Sequence, residues 1–81
     1  VKEKVPRPAG SLDEAYSVLA ERLSAPDIDR QDGLRLAWPE ERRWAHLRPS
    51  GTEPIVRIIA EAPTLAEAQE LVESLRVALP A

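Results

Sequence analysis

The 81-residue sequence contains no cysteine, which excludes disulfide bonds, zinc–thiolate sites and thiol nucleophiles and fits a reducing cytoplasm. No apolar stretch approaches the roughly 18–20 residues of a membrane-spanning helix, and no signal-peptide pattern opens the chain. Aromatic residues make up only 4% of the chain and the formal net charge is -3, which argues against nucleic-acid binding. The sequence therefore predicts a cytoplasmic protein that contacts neither membranes nor nucleic acids.

Methionine is also absent, and the chain begins with Val1. Because a complete translation product normally begins with methionine, we expect an excised fragment of a longer protein, with N-terminal processing as the alternative. The length predicts one domain with a single modest core. Hydrophobic residues make up 43% of the chain and charged residues 31%, proportions that are ordinary for a globular domain.

Two segments carry the spacing and start signals of amphipathic helices. Ser11 and Thr64 are each followed three residues later by a glutamate, which is the pattern of a capping box. We predict helices over residues 11–24 and 64–79, the second ended by Pro80. The predicted apolar stripes consist of Leu12, Ala15, Tyr16, Leu19 and Leu23 in the first helix and of Leu65, Ala68, Leu71, Val72, Leu75 and Leu79 in the second.

Between the two predicted helices, the hydrophobic residues alternate with a period of two. This pattern predicts four short strands, over residues 28–31, 34–38, 43–48 and 55–61. The Asp32-Gly33 pair favours a tight hairpin, because both positions can take positive φ. Short connections favour an antiparallel meander with both helices on one face, so we expect an α+β fold with a four-stranded antiparallel sheet.

The first ten residues mix lysine, glutamate and proline without a helical or strand period. We interpret residues 1–10 as a linker from a preceding domain, extended in part, and residues 11–81 as the domain itself. An ordinary N-terminal arm is the alternative.

One loop concentrates groups that can bind an anion. Arg48 offers a planar fork that can bind two phosphate oxygens, and Ser50 and Thr52 add hydroxyl donors. Gly51 lacks a Cβ, so its N–H can approach an anion closely, and successive amides in such a turn can form an anion-binding nest. Prolines on both shoulders stiffen the loop and lower the entropy lost on binding.

The same residues also suit a plain hairpin turn, in which serine, glycine, threonine and proline occur for local reasons. Arg48 is then a surface ion-pair partner worth about 0–1 kcal/mol. The loop is not a nucleotide P-loop, because the GxxxxGK[ST] pattern is absent and a strand follows. Spacing and composition alone leave the two interpretations about equal.

The RPSGTEP segment, followed by Arg57, resembles the C-terminal phosphate-binding loop of the α-D-phosphohexomutase superfamily. The resemblance extends over nearly the whole chain, from VKEKVP to the second predicted helix. It is best for the branches that contain phosphomannomutase/phosphoglucomutase and phosphoglucosamine mutase. It implies a TATA-binding-protein-like fold and the last of four domains around a cleft.

The resemblance also implies roles for the loop residues. Those implied to bind the substrate phosphate are Arg48, Ser50, Gly51 and Thr52, with Glu53 and Arg57 as possible supporting residues. Glu53 is expected to pair with Arg57, orient the loop or contact a sugar hydroxyl. The catalytic phosphoserine and the Mg²⁺ ligands are implied to lie in other domains. We therefore expect no catalytic or metal-binding residue here, and no activity from the isolated chain.

The resulting hypothesis is a phosphosugar-binding domain of an enzyme that moves a phosphoryl group between C1 and C6 of a hexose phosphate through a bisphosphorylated intermediate. The resemblance favours a phosphomannomutase/phosphoglucomutase, with a phosphoglucosamine mutase as the alternative. A non-catalytic nucleic-acid-binding or protein-interaction module is the alternative of another class. Other residues have bland interpretations: His46 as a half-exposed strand residue, Trp38 and Trp44 as packing residues, and three arginines, Arg35, Arg42 and Arg43, as a solvated edge.

Overall fold

The computed structural model describes residues 1–79, which form an antiparallel sheet of five strands and two helices. The strands are β1 (Lys2–Pro6), β2 (Asp27–Asp29), β3 (Leu34–Trp38), β4 (Arg43–Pro49) and β5 (Ile55–Glu61). The helices are α1 (Leu12–Leu23) and α2 (Leu65–Ala78), and a 3-10 turn covers Pro39–Glu41. The order across the sheet is β1-β5-β4-β3-β2, which confirms the predicted α+β class and the antiparallel meander of the last four strands.

The predicted number of four strands is wrong, because β1 lies within the segment interpreted as a linker. Val1 and Ala60 exchange two backbone hydrogen bonds of 2.9 Å, and Val5 pairs with Val56. Charged residues and proline dominate this strand, since β1 is an edge strand and Val5 is its one fully buried residue. That residues 1–10 also lead in from a preceding domain, and that the fold is TATA-binding-protein-like, remain predictions.

One face of the sheet is closed by the two helices and forms a single core. The buried residues of that face come from every strand except β2: Val5, Leu34, Leu36, Trp38, Ala45, Leu47, Val56, Ile58 and Ala60. Helix residues complete the core, chiefly Tyr16 and Leu19 from α1 and Leu71, Val72 and Leu75 from α2. This division confirms the strand alternation expected from the sequence. The opposite face of the sheet is left open.

Both helices begin where the sequence predicts. The Ser11 hydroxyl accepts hydrogen bonds from the amides of Asp13 and Glu14, and the Thr64 hydroxyl accepts one of 3.1 Å from the amide of Glu67. The apolar stripes are largely confirmed, but Leu65 was wrongly placed in the core. Its side chain is 66% exposed. Helix α2 ends at Ala78, one residue before the predicted end, and Pro80, which was predicted to end it, lies outside the described residues.

The turn between β2 and β3 differs from the predicted two-residue hairpin. Strand β2 ends at Asp29, which pairs with Arg35, so a longer connection joins the strands. Within that connection only Gly33 has a positive φ, of 79°. A Cβ at Gly33 would lie 2.1 Å from the carbonyl oxygen of Leu47, so this turn is packed directly against β4.

Candidate functional site

The loop between β4 and β5 is held at both ends by backbone hydrogen bonds. The Ser50 amide donates to the carbonyl oxygen of Ile55 at 3.0 Å, which closes the hairpin. The Pro54 carbonyl accepts a bond of 2.9 Å from the Arg7 amide, just beyond β1. The residues from Gly51 to Glu53 therefore project from a fixed base at the end of the sheet.

A hollow of about 330 Å³ lies between this loop and the open face of the sheet. Its lining residues are His46, Arg48, Pro49, Ser50, Gly51, Thr52, Arg57 and Ile59. The structure thus brings together the four residues predicted to bind phosphate and one predicted supporting residue, Arg57. Glu53, the other supporting residue, is exposed and does not line the hollow.

The hollow is electrically positive because the strand register places two arginines side by side. Arg48 on β4 pairs with Arg57 on β5, so both side chains leave the sheet on its open face. Lys4 on β1 pairs with Arg57 from the other side and extends the row of cations across three strands. Two guanidinium groups and no carboxylate line the hollow, which favours an anionic ligand.

The loop is ordered by its own serine. The Ser50 hydroxyl oxygen accepts hydrogen bonds from the amides of Thr52 at 3.3 Å and Glu53 at 3.2 Å, and it lies 3.4 Å from the Thr52 hydroxyl. This local pattern holds the turn before any ligand arrives. Within residues 1–79, the Gly51 amide makes no such bond. The Gly51 amide thus has no hydrogen-bond partner among these residues, whereas the Thr52 amide is already bonded to Ser50.

Gly51 contributes space rather than an unusual backbone conformation. Among the glycines within residues 1–79, Gly33 is the one with a positive φ. No atom lies within 4 Å of the place where a Gly51 Cβ would stand. An anion can therefore approach the backbone here without meeting a side chain.

Two residues near the hollow have contacts that the sequence did not indicate. The carboxylate oxygen Oδ1 of Asp32 lies 3.6 Å from Nε of Arg48, and the Asp32 carbonyl oxygen lies 2.6 Å from Nε2 of His46. Because a carbonyl oxygen only accepts, Nε2 of His46 carries the proton in this contact. Asp32 was assigned only to a turn, and its distance in sequence from Arg48 gave no signal of this proximity.

The tryptophans and arginines predicted to have no ligand-binding role match that prediction in part. Trp38 is buried in the core, and the Arg43 guanidinium lies 4.4 Å from its ring centre. Trp44 lies on the open face with Arg35 at 5.4 Å. Two of the three arginines assigned to a solvated edge thus stack on tryptophans. The anticipated ion pair between Glu53 and Arg57 is not formed within residues 1–79.

The described part of the chain, residues 1–79, holds no group of three or more carboxylate or imidazole side chains arranged around a common point for a metal ion. Neither α1 nor α2 has the length and hydrophobicity needed to cross a bilayer. The candidate ligand-binding site is the positively charged hollow with the loop beside it.

Comparison with known proteins shows to which protein family this chain is similar. Residues 1–78 match the model of the family described as phosphoglucomutase/phosphomannomutase, C-terminal domain. The matched range includes β1, in agreement with its place in the sheet. The match therefore covers nearly the whole fold and includes the loop at the hollow.

Three curated relatives are longer proteins that contain a segment similar to this chain. A probable phosphoglucosamine mutase of Pyrococcus furiosus is 36% identical over 94% of this chain and 17% of its own length. A probable phosphoglucosamine mutase of Methanothermobacter thermautotrophicus is 34% identical, over 94% of this chain and 18% of its own. A phosphopentomutase of Thermococcus kodakarensis is 34% identical, over 74% of this chain and 16% of its own length. The chain spans about a sixth of the length of these relatives.

Proposed function

Because this chain belongs to the phosphoglucomutase/phosphomannomutase C-terminal domain family, we propose that it binds the phosphate group of a phosphorylated sugar within a larger phosphohexomutase. The observation that carries the proposal is the shared hollow. Arg48, Ser50, Gly51, Thr52 and Arg57 all line it, although they come from two strands and a loop. A plain hairpin turn has no need of this convergence.

The proposed binding mode assigns each residue a task that its chemistry can perform. Arg48 binds two phosphate oxygens through its guanidinium fork, and Arg57 supplies a second positive charge from the neighbouring strand. The hydroxyls of Ser50 and Thr52 donate to the remaining oxygens, and the Gly51 amide donates from the loop backbone. Each charge-assisted hydrogen bond contributes about 1.5–3 kcal/mol before ordering costs. Because ordering costs offset much of the sum, we expect a net binding free energy of about 4 kcal/mol, or millimolar affinity, for the chain alone.

For the sugar, the relatives favour the alternative over the first hypothesis. Two of the relatives described above are named probable phosphoglucosamine mutase, and none is named phosphomannomutase. We therefore propose glucosamine phosphate as the substrate of the parent enzyme in preference to mannose or glucose phosphate. The phosphate hollow serves any of these sugars, since the recognised group is the same.

The proposal for the whole protein is an isomerase that moves a phosphoryl group between two oxygens of the sugar. Gripping the phosphate that is not reacting supplies binding energy at a distance from the reacting centre. The phosphoserine and the Mg²⁺ ligands are assigned to the other domains, and this chain alone is expected to be inactive. We assign the enzyme to the cytoplasm as part of the same proposal.

A titration of the chain with inorganic phosphate, followed by amide NMR at constant ionic strength, tests the binding site. We expect shifts confined to residues 50–53 and their neighbours at the hollow. Arg48→Ala should weaken binding about 10- to 100-fold, since it removes two charge-assisted bonds. Arg76→Ala is the matched control, because Arg76 is similarly exposed but lies on α2 and pairs with Glu3.

The result that would contradict the proposal is equal phosphate binding by both arginine variants, or shifts spread over the sheet with no focus at the loop. Salt-sensitive oligonucleotide binding across the open face would favour the nucleic-acid module instead. The choice of sugar needs the full-length protein that carries this chain. Its turnover of glucosamine 6-phosphate should exceed that of mannose 6-phosphate and glucose 6-phosphate.

A further inference from the structure

The Asp32 carboxylate does not line the hollow but contacts Arg48, a residue of the proposed site. Its Oδ1 is 3.6 Å from Nε of Arg48, and the two side chains are 70% and 58% exposed. In the free chain, Asp32 therefore shares the guanidinium that the proposed phosphate site uses. A phosphate bound to Arg48 would have to compete with this carboxylate for the same guanidinium.

Two contacts fix the backbone that carries this carboxylate. The Nε2–H group of His46 donates to the Asp32 carbonyl at 2.6 Å. The following residue, Gly33, lies so close to β4 that a Cβ there would stand 2.1 Å from the Leu47 carbonyl oxygen. The turn is thus anchored to the strand that leads into the loop. A bound anion can rotate the Asp32 side chain, but it cannot move the turn away.

Two effects of Asp32 on phosphate binding oppose each other. Its carboxylate can hold the Arg48 guanidinium in place, which assists binding. It also competes for that guanidinium and repels a dianion bound to it. The orienting effect is small, because an exposed ion pair constrains its partners little. Repulsion acts on the full double charge of phosphate, so it is the larger effect.

We propose that Asp32 limits the affinity of the hollow: its carboxylate, carried on an anchored turn, competes with phosphate for Arg48 and weakens phosphate binding. The inference rests on the proposed function, since it concerns the same site. The turn between β2 and β3 would then tune phosphate affinity in addition to connecting the two strands. The sign of its effect separates the two roles, because loss of a structural or orienting residue weakens binding.

The test compares phosphate affinity in the unmodified chain and in Asp32→Asn by the same amide NMR titration. Asparagine keeps the shape of the side chain and suits the turn. We expect phosphate to bind about three- to tenfold more tightly, through loss of competition and of repulsion. Asp27→Asn is the matched control, since Asp27 lies at the far end of β2, beside Ala37, and the change in net charge is identical.

Asp32→Ser serves as the second variant, because asparagine before glycine tends to deamidate to aspartate. Unperturbed amide shifts outside the turn establish that each variant is folded. Tighter binding in both Asp32 variants, but not in Asp27→Asn, supports the proposal. Unchanged or weaker binding in the Asp32 variants overturns it while leaving the proposed function intact. Absence of phosphate binding in the unmodified chain and in every variant overturns both.

Discussion

The two faces of the sheet differ in how their residues are used, although both are made by the same strands. On β5, Ile58 is fully buried against the helices, whereas Ile59 faces the open side and lines the hollow. The buried residues of the closed face are all hydrophobic, while the open face carries Lys4, Arg48 and Arg57 in one row. One face holds the fold together, and the other is free to carry charge for a ligand.

The largest effect expected from this comparison comes from adjacent isoleucines. Ile58→Ala should lower the free energy of unfolding by about 2–5 kcal/mol, since it leaves a cavity in the core. Ile59→Ala should cost less than about 1.5 kcal/mol, because its side chain is only half-buried. Urea denaturation of both variants measures the difference. Equal losses of unfolding free energy in the two variants would show that the open face stabilises the fold as much as the closed face does.

The two glycines near the site, Gly33 and Gly51, differ in how much room each has for a side chain. Gly33→Ala should cost about 2–4 kcal/mol, since it combines a positive φ with a clash against the Leu47 carbonyl. Gly51→Ala should leave the free energy of unfolding within about 0.5 kcal/mol, because open space surrounds that position. Thermal unfolding of the pair tests this. A destabilised Gly51→Ala variant would mean that the loop, like the turn, is structurally constrained.

The smallest effect concerns the chain's single tyrosine, at the border of the closed face. The Tyr16 hydroxyl is buried without a hydrogen-bond partner among residues 1–79, so Tyr16→Phe should stabilise the chain by about 1 kcal/mol. Burial also raises the pKa of Tyr16, an effect that the nearby Arg7 and Arg30 guanidiniums reduce.

Because the folded state holds the Tyr16 proton more tightly than the unfolded state, the unmodified chain should lose stability as the pH rises above about 10. Tyr16→Phe should lose less over the same range. Denaturation curves at neutral and alkaline pH provide the measurement. Identical pH dependence of the two proteins would refute the assigned burial of the phenol.

The closed face could be predicted from the sequence because its signal is periodic. The apolar alternation in β4 and β5 and the cap residues Ser11 and Thr64 are local features, and the structure confirms them. Strand β1 was missed, since its one fully buried residue, Val5, gives no period. Its place in the sheet depends on pairing with β5, which is distant in sequence: Val5, for example, pairs with Val56.

The site was predictable to the extent that it is continuous in sequence. Arg48 and the loop that follows it form one motif, and the structure places them around one hollow. The contact of Asp32 with Arg48 arises from the register of β3 on β4 and from the close packing of Gly33. Neither is encoded in the spacing of residue types, so this neighbour could come only from the structure.

The two edge strands of the sheet, β1 and β2, affect the tendency of the protein to self-associate. Exposed sheet edges invite intermolecular strand pairing and aggregation. At one edge, β2 has only three residues and carries Asp27 and Asp29. At the other, β1 carries two lysines and ends in Pro6, which has no amide hydrogen to donate. Charge, brevity and proline thus disfavour the growth of this small sheet into fibrils.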